Sequence, residues 1–173
     1  MWLHSPNPEA TLAAGRLLGE SLGSEGAVIG LEGPLGAGKT VFVKGLAAGL
    51  GLDPAGVTSP TFVIAHEYAL PVGGALVHVD LYRVESEAEL ENAGLLDWLA
   101  PERVVVVEWS DRLPAALPRE RLTVVIERDR EGSHRRLNAI ASGAGVQDLV
   151  ARWGAALRQA PNARGLEIEA RVP

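Results

Sequence analysis

The sequence predicts a three-layer α/β sandwich around a mixed, partly antiparallel sheet. Residues 27–31 (AVIGL) form a short apolar run that enters a glycine-rich turn, and a helical pattern follows over residues 39–50. This order of strand, turn and helix is typical of a parallel sheet. Four consecutive valines at 104–107 indicate a central strand that is buried on both faces. Other strand-like segments are joined by short turns, which predicts antiparallel neighbours for the parallel strands.

The first 60 residues contain two predicted helices with the strand between them. Residues 8–22 place leucines near helical spacing, which indicates an amphipathic helix. The second helix, over residues 39–50, has a natural stop at Gly51. Residues 53–60 are interpreted as a loop because two prolines interrupt them.

A β-hairpin and a further helix are predicted next. Residues 61–70 and 75–82 have the apolar pattern of strands, and residues 71–74 (PVGG) supply the turn between them. Residues 86–94 open with a serine that is followed by acidic residues, as at many helix N-termini.

The last third of the chain adds three predicted strands. Residues 103–109 (RVVVVEW) have the strongest strand pattern of the sequence. Residues 121–128 and 136–140 indicate two more strands, joined near residues 131–132.

A closing helix is predicted over residues 146–159, and residues 160–173 lack a clear period. A chain of 173 residues suits one domain. We therefore expect a single domain over residues 1–159 and a C-terminal tail over residues 160–173.

Composition excludes several classes of protein. The net charge of −6 disfavours a nucleic-acid binder that acts alone, since such proteins usually carry a basic face. The absence of cysteine excludes disulfides and thiolate metal sites. The first ten residues lack the regions of a signal peptide, and no apolar run approaches the roughly 20 residues that span a bilayer. The expectation is a cytoplasmic protein without membrane contact.

Residues 33–40 (GPLGAGKT) match the phosphate-binding pattern G-x-x-x-x-G-K-[ST]. Gly33 and Gly38 permit backbone angles and close approaches that a Cβ would block. The loop directs backbone N–H groups at a phosphate, and the following helix adds its positive N-terminal end. Lys39 is the residue that reaches the β- and γ-phosphates, and the hydroxyl of Thr40 suits Mg²⁺. The sequence thus predicts a P-loop NTPase-like fold.

Two acidic residues are candidates for the second half of such a site. Glu108 follows the valine run, and Asp80 ends a second strand pattern. A P-loop NTPase needs a carboxylate at the end of a strand beside the loop, where Asp is usual, so Glu108 is a departure. Either acid could hold metal or position water, and either could be a solvated strand end.

Other polar and aromatic residues allow two interpretations. Residues 58–61 (TSPT) form either a loop that senses the γ-phosphate or a plain turn. Trp109 is interpreted as a side chain that closes the core rather than one that packs on a ligand. His66, His78 and His134 lack metal-ligand spacing and are expected on the surface or in the core.

The motifs together resemble the bacterial TsaE family, formerly YjeE. GPLGAGKT, TSPTF, HVDLYR, ELENAGLLDWL and VVVVEW occur in this order, and the resemblance runs over about residues 9–140. It implies a single α/β P-loop domain that hydrolyses ATP with Mg²⁺. The implied partners are TsaB and TsaD, which transfer threonylcarbamoyl to a tRNA adenosine beside the anticodon. The ATPase would support repeated turnover, and the tRNA would be held mainly by the partners.

The resemblance also assigns roles to individual residues. Thr40 and Glu108 would bind Mg²⁺, Asp80 would be a catalytic or water-positioning acid, and Lys39 would act in catalysis as well as in binding. Thr11 matches a threonine near the adenine, and Arg136 matches an arginine near the nucleotide, with Arg135 as the alternative register. The implied phosphate-binding residues are Gly33, Gly36, Ala37, Gly38, Lys39 and Thr40.

Two other functions remain open at the level of sequence. A nucleotide-gated binding module would switch an interface through residues 58–61 with little hydrolysis. A small-molecule kinase would need an acceptor pocket and usually an arginine-rich lid. No segment has the pattern of such a lid, although four arginines cluster late in the chain, at positions 128, 130, 135 and 136.

Overall fold

A mixed β-sheet with helices on both faces organises the chain. The computed structural model describes residues 1–23, 26–60, 63–129, 134–160 and 165–168. Within these residues the strands are β1 (Trp2–Ser5), β2 (Ala27–Glu32), β3 (Ala65–Ala69), β4 (Ala75–Asp80), β5 (Arg103–Glu108), β6 (Arg121–Arg128), β7 (Arg135–Ser142) and β8 (Glu167–Ile168). The helices are α1 (Pro8–Ser21), α2 (Lys39–Gly49), α3 (Glu87–Asn92), α4 (Leu95–Trp98) and α5 (Ala144–Gln159), with a 3₁₀ turn at Pro54–Gly56.

Four parallel strands form the middle of the sheet. The strand order is β3-β4-β5-β2-β6-β7-β1-β8, and β4, β5, β2 and β6 run parallel to one another. β3 pairs antiparallel with β4 at one side, and β7, β1 and β8 continue antiparallel from β6 at the other. The predicted mixed, partly antiparallel sheet is confirmed.

The burial of strand β5 on both of its faces explains why the fold has a helical layer on each side of the sheet. It lies between β4 and β2, and its four valines are buried. Val104 and Val106 belong to the core beneath α1, α2 and α5, whereas Val105 and Val107 belong to the second core beneath α3 and α4. Because alternate residues of a strand face opposite sides, a run without polar residues needs a helical layer on both faces. The prediction of a central strand buried on both faces is confirmed.

Helices α1 and α2 pack closely because glycines line their contact. A Cβ on Gly15 would collide with the Phe42 carbonyl oxygen, and a Cβ on Gly45 would collide with the Leu12 carbonyl oxygen. Trp153 of α5 completes this layer, since its indole Nε1 donates to the Ala14 carbonyl at 3.0 Å. The close approach brings the start of α1 to the glycine-rich loop.

Some element boundaries differ from the prediction. Trp2–Ser5 forms β1 along β7, a strand that the sequence pattern did not indicate. Glu167–Ile168, within the predicted tail, pairs with β1, whereas residues 161–164 and 169–173 are outside the described part of the chain. The hairpin strand β3 begins at Ala65, later than the predicted residue 61, because Val63 and Ile64 are not in a strand. Residues 61–62 and the predicted turn at 131–132 lie outside the described residues.

None of the helices in the described part of the chain is both long enough and apolar enough to cross a membrane.

Candidate nucleotide-binding site

The glycine-rich loop connects the end of β2 to the start of α2. Gly33, Gly36 and Gly38 have φ values of 133°, 70° and 112°, which side-chain-bearing residues rarely adopt. A Cβ on Gly33 would also collide with the carbonyl oxygen of Ile126 on the neighbouring strand β6. Gly38 precedes the first turn of α2 and has no side chain to cap it. The N–H groups of that turn therefore form an anion-binding end for a phosphate.

Lys39 is held inside this loop. Its side chain is 4% exposed, and Nζ donates to the carbonyl oxygens of Gly33 at 2.7 Å and Pro34 at 3.1 Å. Burial lowers the pKa of Lys39 from its ordinary value, while the charges of Glu108, Asp80 and Asp111 act in the opposite direction. A phosphate that enters the loop would compete with the two carbonyls for the same ammonium group.

Trp109 covers the other side of Lys39. Nζ lies 3.5 Å from the centroid of the indole ring, a cation–π geometry. Trp109 has φ of 61°, an outlier for a bulky residue, and its ring also contacts Tyr82 with centroids 4.9 Å apart. The ring packs partly against the second core, as the sequence interpretation favoured, but that interpretation missed its contact with the site.

The two predicted acids lie side by side at the carboxyl edge of the sheet. Asp80 of β4 is the register partner of Glu108 of β5, which in turn pairs with Leu31 just before the loop. Thr40 Oγ1 donates to Glu108 Oε1 at 2.8 Å. The structure therefore brings Thr40 and both acids to one place, as expected for parallel strands that end at a common edge.

The two acids have different surroundings. Glu108 is 3% exposed, and its Oε1 lies 2.8 Å from Nε2 of the fully buried His78. Asp80 is half-buried, and its two oxygens accept hydrogen bonds from Ser59 Oγ and from the Tyr82 amide, each at 2.9 Å. Glu108 is thus buried beside Thr40 and His78, whereas Asp80 is connected to the loop over residues 58–60.

The oxygen ligands at this edge fit Mg²⁺. The Thr40 hydroxyl and the Glu108 carboxylate are adjacent hard ligands, and Asp80 is next along the edge. Within the described ranges, no three His, Cys, Asp or Glu side chains converge as a complete ligand set. Mg²⁺ usually takes one or two protein ligands and completes its shell with water and phosphate oxygens, so this incomplete set suits it.

Arginines near the loop contact its outer carbonyls. Arg128, at the end of β6, donates from Nε to the Gly36 carbonyl at 3.0 Å and from a second N–H to the same oxygen. Arg135 donates from Nε to the Ala37 carbonyl at 3.3 Å. Arg136 instead lies over the Trp2 ring, with Cζ 4.7 Å from the centroid. Arg135, the alternative register, therefore contacts the loop directly.

Thr11 lies beside the loop but is hydrogen-bonded within the fold. It is 1% exposed, and its hydroxyl lies 2.8 Å from Ser5 Oγ. Its methyl group is 3.7 Å from where a Cβ of Gly38 would stand. Thr11 therefore packs against the loop, and no contact in the structure tests its role near an adenine.

The remaining predicted residues divide between the site and its surroundings. Ser59 of the 58–61 loop reaches Asp80, whereas Thr61 lies outside the described residues. His66 Nδ1 lies 3.4 Å from the Thr58 carbonyl, and His134 lies 3.5 Å from Asp129. His78 is a core histidine, as expected, but its contact with Glu108 was missed. The period of two in β4 was the available signal, because it places His78 on the same face as Asp80.

Many of these groups line a cleft of about 380 Å³. The part of the loop that lines it includes Gly36, Gly38, Lys39 and Thr40. Its other lining residues include Ser59, Asp80, Tyr82, Arg83, Glu108 and Trp109. A larger cleft of about 620 Å³ lies at the amino ends of β2 and β5, away from these groups. The smaller cleft is the candidate nucleotide site because the glycine-rich loop and both acids line it.

The strand, glycine-rich loop and helix, with a carboxylate on the next strand, define the fold as that of a P-loop NTPase. A family model described as Threonylcarbamoyl adenosine biosynthesis protein TsaE matches residues 5–137. The chain belongs to the TsaE family.

Relatives and a solved structure agree with this assignment. A Bacillus subtilis (strain 168) protein described as tRNA threonylcarbamoyladenosine biosynthesis protein TsaE is 45% identical over 125 residues, 70% of this chain and 74% of its own. A Nostoc sp. relative with the same description is 39% identical over 149 residues, 83% of this chain and 87% of its own. The crystal structure of Bacillus subtilis YdiB is 33% identical with a TM-score of 0.71, and the match covers 90% of this chain and 94% of that chain.

Proposed function

We propose that the chain is a Mg²⁺-dependent ATPase that acts as an accessory subunit in the threonylcarbamoyladenosine modification of tRNA. One observation carries the ATPase part: Thr40, the last residue of the phosphate-loop motif, donates to Glu108 on the adjacent parallel strand. That hydrogen bond leaves the lone pairs of the Thr40 hydroxyl available to a metal ion at the end of the loop. Family membership supports the pathway.

The residues of the cleft would have separate roles in the transfer of a phosphoryl group to water. The loop amides and Lys39 would stabilise the negative charge that spreads over the phosphate oxygens, where most catalysis of this reaction lies. Thr40 and Glu108 would hold Mg²⁺, which supplies further charge neutralisation when bound. Asp80 would orient the attacking water, and its hydrogen bond to Ser59 would connect the 58–61 loop to the same step.

The partners we propose are TsaB and TsaD. The net charge of −6 supports a division of labour in which the partners hold the tRNA, since a phosphate backbone needs basic contacts. We expect slow turnover by the isolated chain, because the motif itself supplies no arginine for the transition state. Contact with the partners would complete the site.

Measurement of ADP release tests this proposal. We expect Mg²⁺-dependent release that is slow alone and faster over multiple turnovers when TsaB, TsaD and tRNA are present. Omission of Mg²⁺ is the control for metal dependence. Absence of hydrolysis with all partners present would refute the enzyme assignment.

A nucleotide-gated switch is the second candidate, favoured by the contact of Ser59 with Asp80. In that case ATP binding would change affinity for the partners without hydrolysis. The same assay separates the two functions, because a switch would show nucleotide-dependent complex formation with no ADP produced. The cytoplasmic location expected from the sequence is part of the proposal.

A further inference from the structure

His78 is a buried histidine with a single polar contact in the described structure. Its side chain is 0% exposed, and Nε2 lies 2.8 Å from Glu108 Oε1. The other ring nitrogen, Nδ1, is buried and has no hydrogen-bond partner among the described residues. Buried polar atoms are usually paired, so this arrangement needs a reason.

The chemistry of the pair determines which nitrogen carries the proton. An ionised carboxylate only accepts hydrogen bonds, so Nε2–H must be the donor. A proton on Nδ1 would be buried without an acceptor, and an unpaired buried N–H is more costly than an unpaired lone pair. The arrangement therefore makes His78 Nε2 a hydrogen-bond donor to Glu108 Oε1.

Glu108 needs such a partner more than the usual aspartate does. Its side chain has one more methylene and therefore one more freely rotating bond. Thr40 Oγ1 and His78 Nε2 both contact Oε1, each at 2.8 Å, one from the phosphate-loop helix and one from strand β4. Two donors on one oxygen fix the carboxylate and leave the lone pairs of Oε2 for a ligand in the cleft.

We propose that His78 is a positioning residue that holds Glu108 in the orientation needed to bind a divalent cation beside Thr40. This role rests on the proposed function of Glu108 as a Mg²⁺ ligand. Partners of metal-binding side chains typically change metal affinity about 10- to 100-fold when they are removed. The alternative is that His78 only fills space in the core.

Two substitutions separate positioning from space filling. His78→Leu keeps the buried volume but removes the donor, whereas the amide of His78→Gln can place an N–H near the position of Nε2. Leu76→Met is the matched control, because Leu76 is a buried residue on the same face of β4 and two residues from His78. Thermal unfolding of each variant shows that it is folded.

The first readout is the imidazole ¹⁵N spectrum of the nucleotide-free protein. We expect a proton on His78 Nε2, the nitrogen that contacts Glu108, and we expect Glu108→Gln to shift the His78 signals. An Nε2 without a proton, or signals that Glu108→Gln leaves unchanged, would overturn the inference. This measurement needs neither metal nor hydrolysis.

The second readout is Mn²⁺ binding to the ADP-bound protein. His78→Leu should weaken Mn²⁺ binding at least about 10-fold, with His78→Gln closer to wild type and Leu76→Met unchanged. ADP affinity in EDTA should stay the same in all variants. Equal Mn²⁺ affinity of His78→Leu and wild type would overturn the role of His78. Failure of wild type itself to bind Mn²⁺ would instead refute the proposed metal site and, with it, this role.

Discussion

Glu108 and Asp80 are neighbours in the sheet, yet their surroundings differ. Glu108 is nearly inaccessible to solvent, and Thr40 and His78 both contact the same oxygen of its carboxylate. Asp80 accepts hydrogen bonds from Ser59 and from a backbone amide at the start of the next turn. A fixed, buried carboxylate beside the loop hydroxyl suits a metal ion, whereas a half-exposed acid that contacts a loop suits the positioning of water.

Substitution of each acid by its amide tests this division. Glu108→Gln should raise the Mg²⁺ concentration for half-maximal hydrolysis at least about 10-fold, because a ligand charge is lost. Asp80→Asn should lower kcat and leave the Mg²⁺ requirement near that of wild type. Steady-state rates over a Mg²⁺ titration measure both quantities. The opposite pattern would show that Asp80 binds the metal and that Glu108 positions the water.

The sequence was sufficient to predict those site residues that a local motif or the end of a strand pattern marks. Lys39 and Thr40 follow from the motif, and the two acids follow from the ends of two apolar strands. The contacts of His78, Trp109 and Arg128 could not be predicted, because they depend on which strands are neighbours and on their register. A single sequence contains little information on register beyond the alternation of side chains.

At the scale of elements, the packing of α1 on α2 determines how close α1 lies to the phosphate loop. Gly15 and Gly19 of α1 and Gly45 and Gly49 of α2 all lie where a Cβ would meet backbone of the opposite helix. Glycine in a helix lowers helix stability by about 1 kcal/mol relative to alanine. At these four positions the helices therefore pack closely at the expense of helix propensity.

Gly45→Ala tests this packing. A Cβ on Gly45 would stand 2.0 Å from the Leu12 carbonyl oxygen, which puts the overpacking cost at the upper end of its range, about 3 kcal/mol. Against roughly 1 kcal/mol gained in helix propensity, the free energy of unfolding should fall by about 2 kcal/mol. Denaturant unfolding measures the change. Gly23→Ala is the control, since a Cβ there meets no described atom within 4 Å and should not destabilise the protein. Equal stability of Gly45→Ala and wild type would show that the helices can separate without cost.

The elements also differ in how well the sequence predicts them. Strands β2 and β5 were predicted because each is a continuous apolar run. Helix α3 was predicted because Ser86 caps its first turn: Ser86 Oγ accepts a hydrogen bond from the Glu89 amide at 3.2 Å. Strand β1 has only four residues and β8 only two. Such short strands are defined by hydrogen bonds to β7 and to each other, which are tertiary contacts that local pattern does not contain.

At the scale of the whole molecule, the strand order explains why the candidate site lies at one edge of the sheet. β2, β5 and β4 are parallel neighbours, so the phosphate loop, Glu108 and Asp80 all follow carboxyl ends of strands at the same edge. On the other side of β2, the parallel strand β6 and the antiparallel strand β7 bring Arg128 and Arg135 to the outside of the loop. The cleft is thus built from segments that are distant in sequence.

The central claim is that the loop over residues 33–40 binds the phosphates of a nucleotide, and calorimetric titration of ATP with Mg²⁺ tests it most directly. Lys39→Ala should weaken binding at least about 10-fold, because a hydrogen bond to a charged group contributes about 1.5–3 kcal/mol. Lys44→Ala, five residues further along α2 and absent from the lining of the cleft, should bind like wild type. Wild-type affinity in Lys39→Ala would contradict the claim.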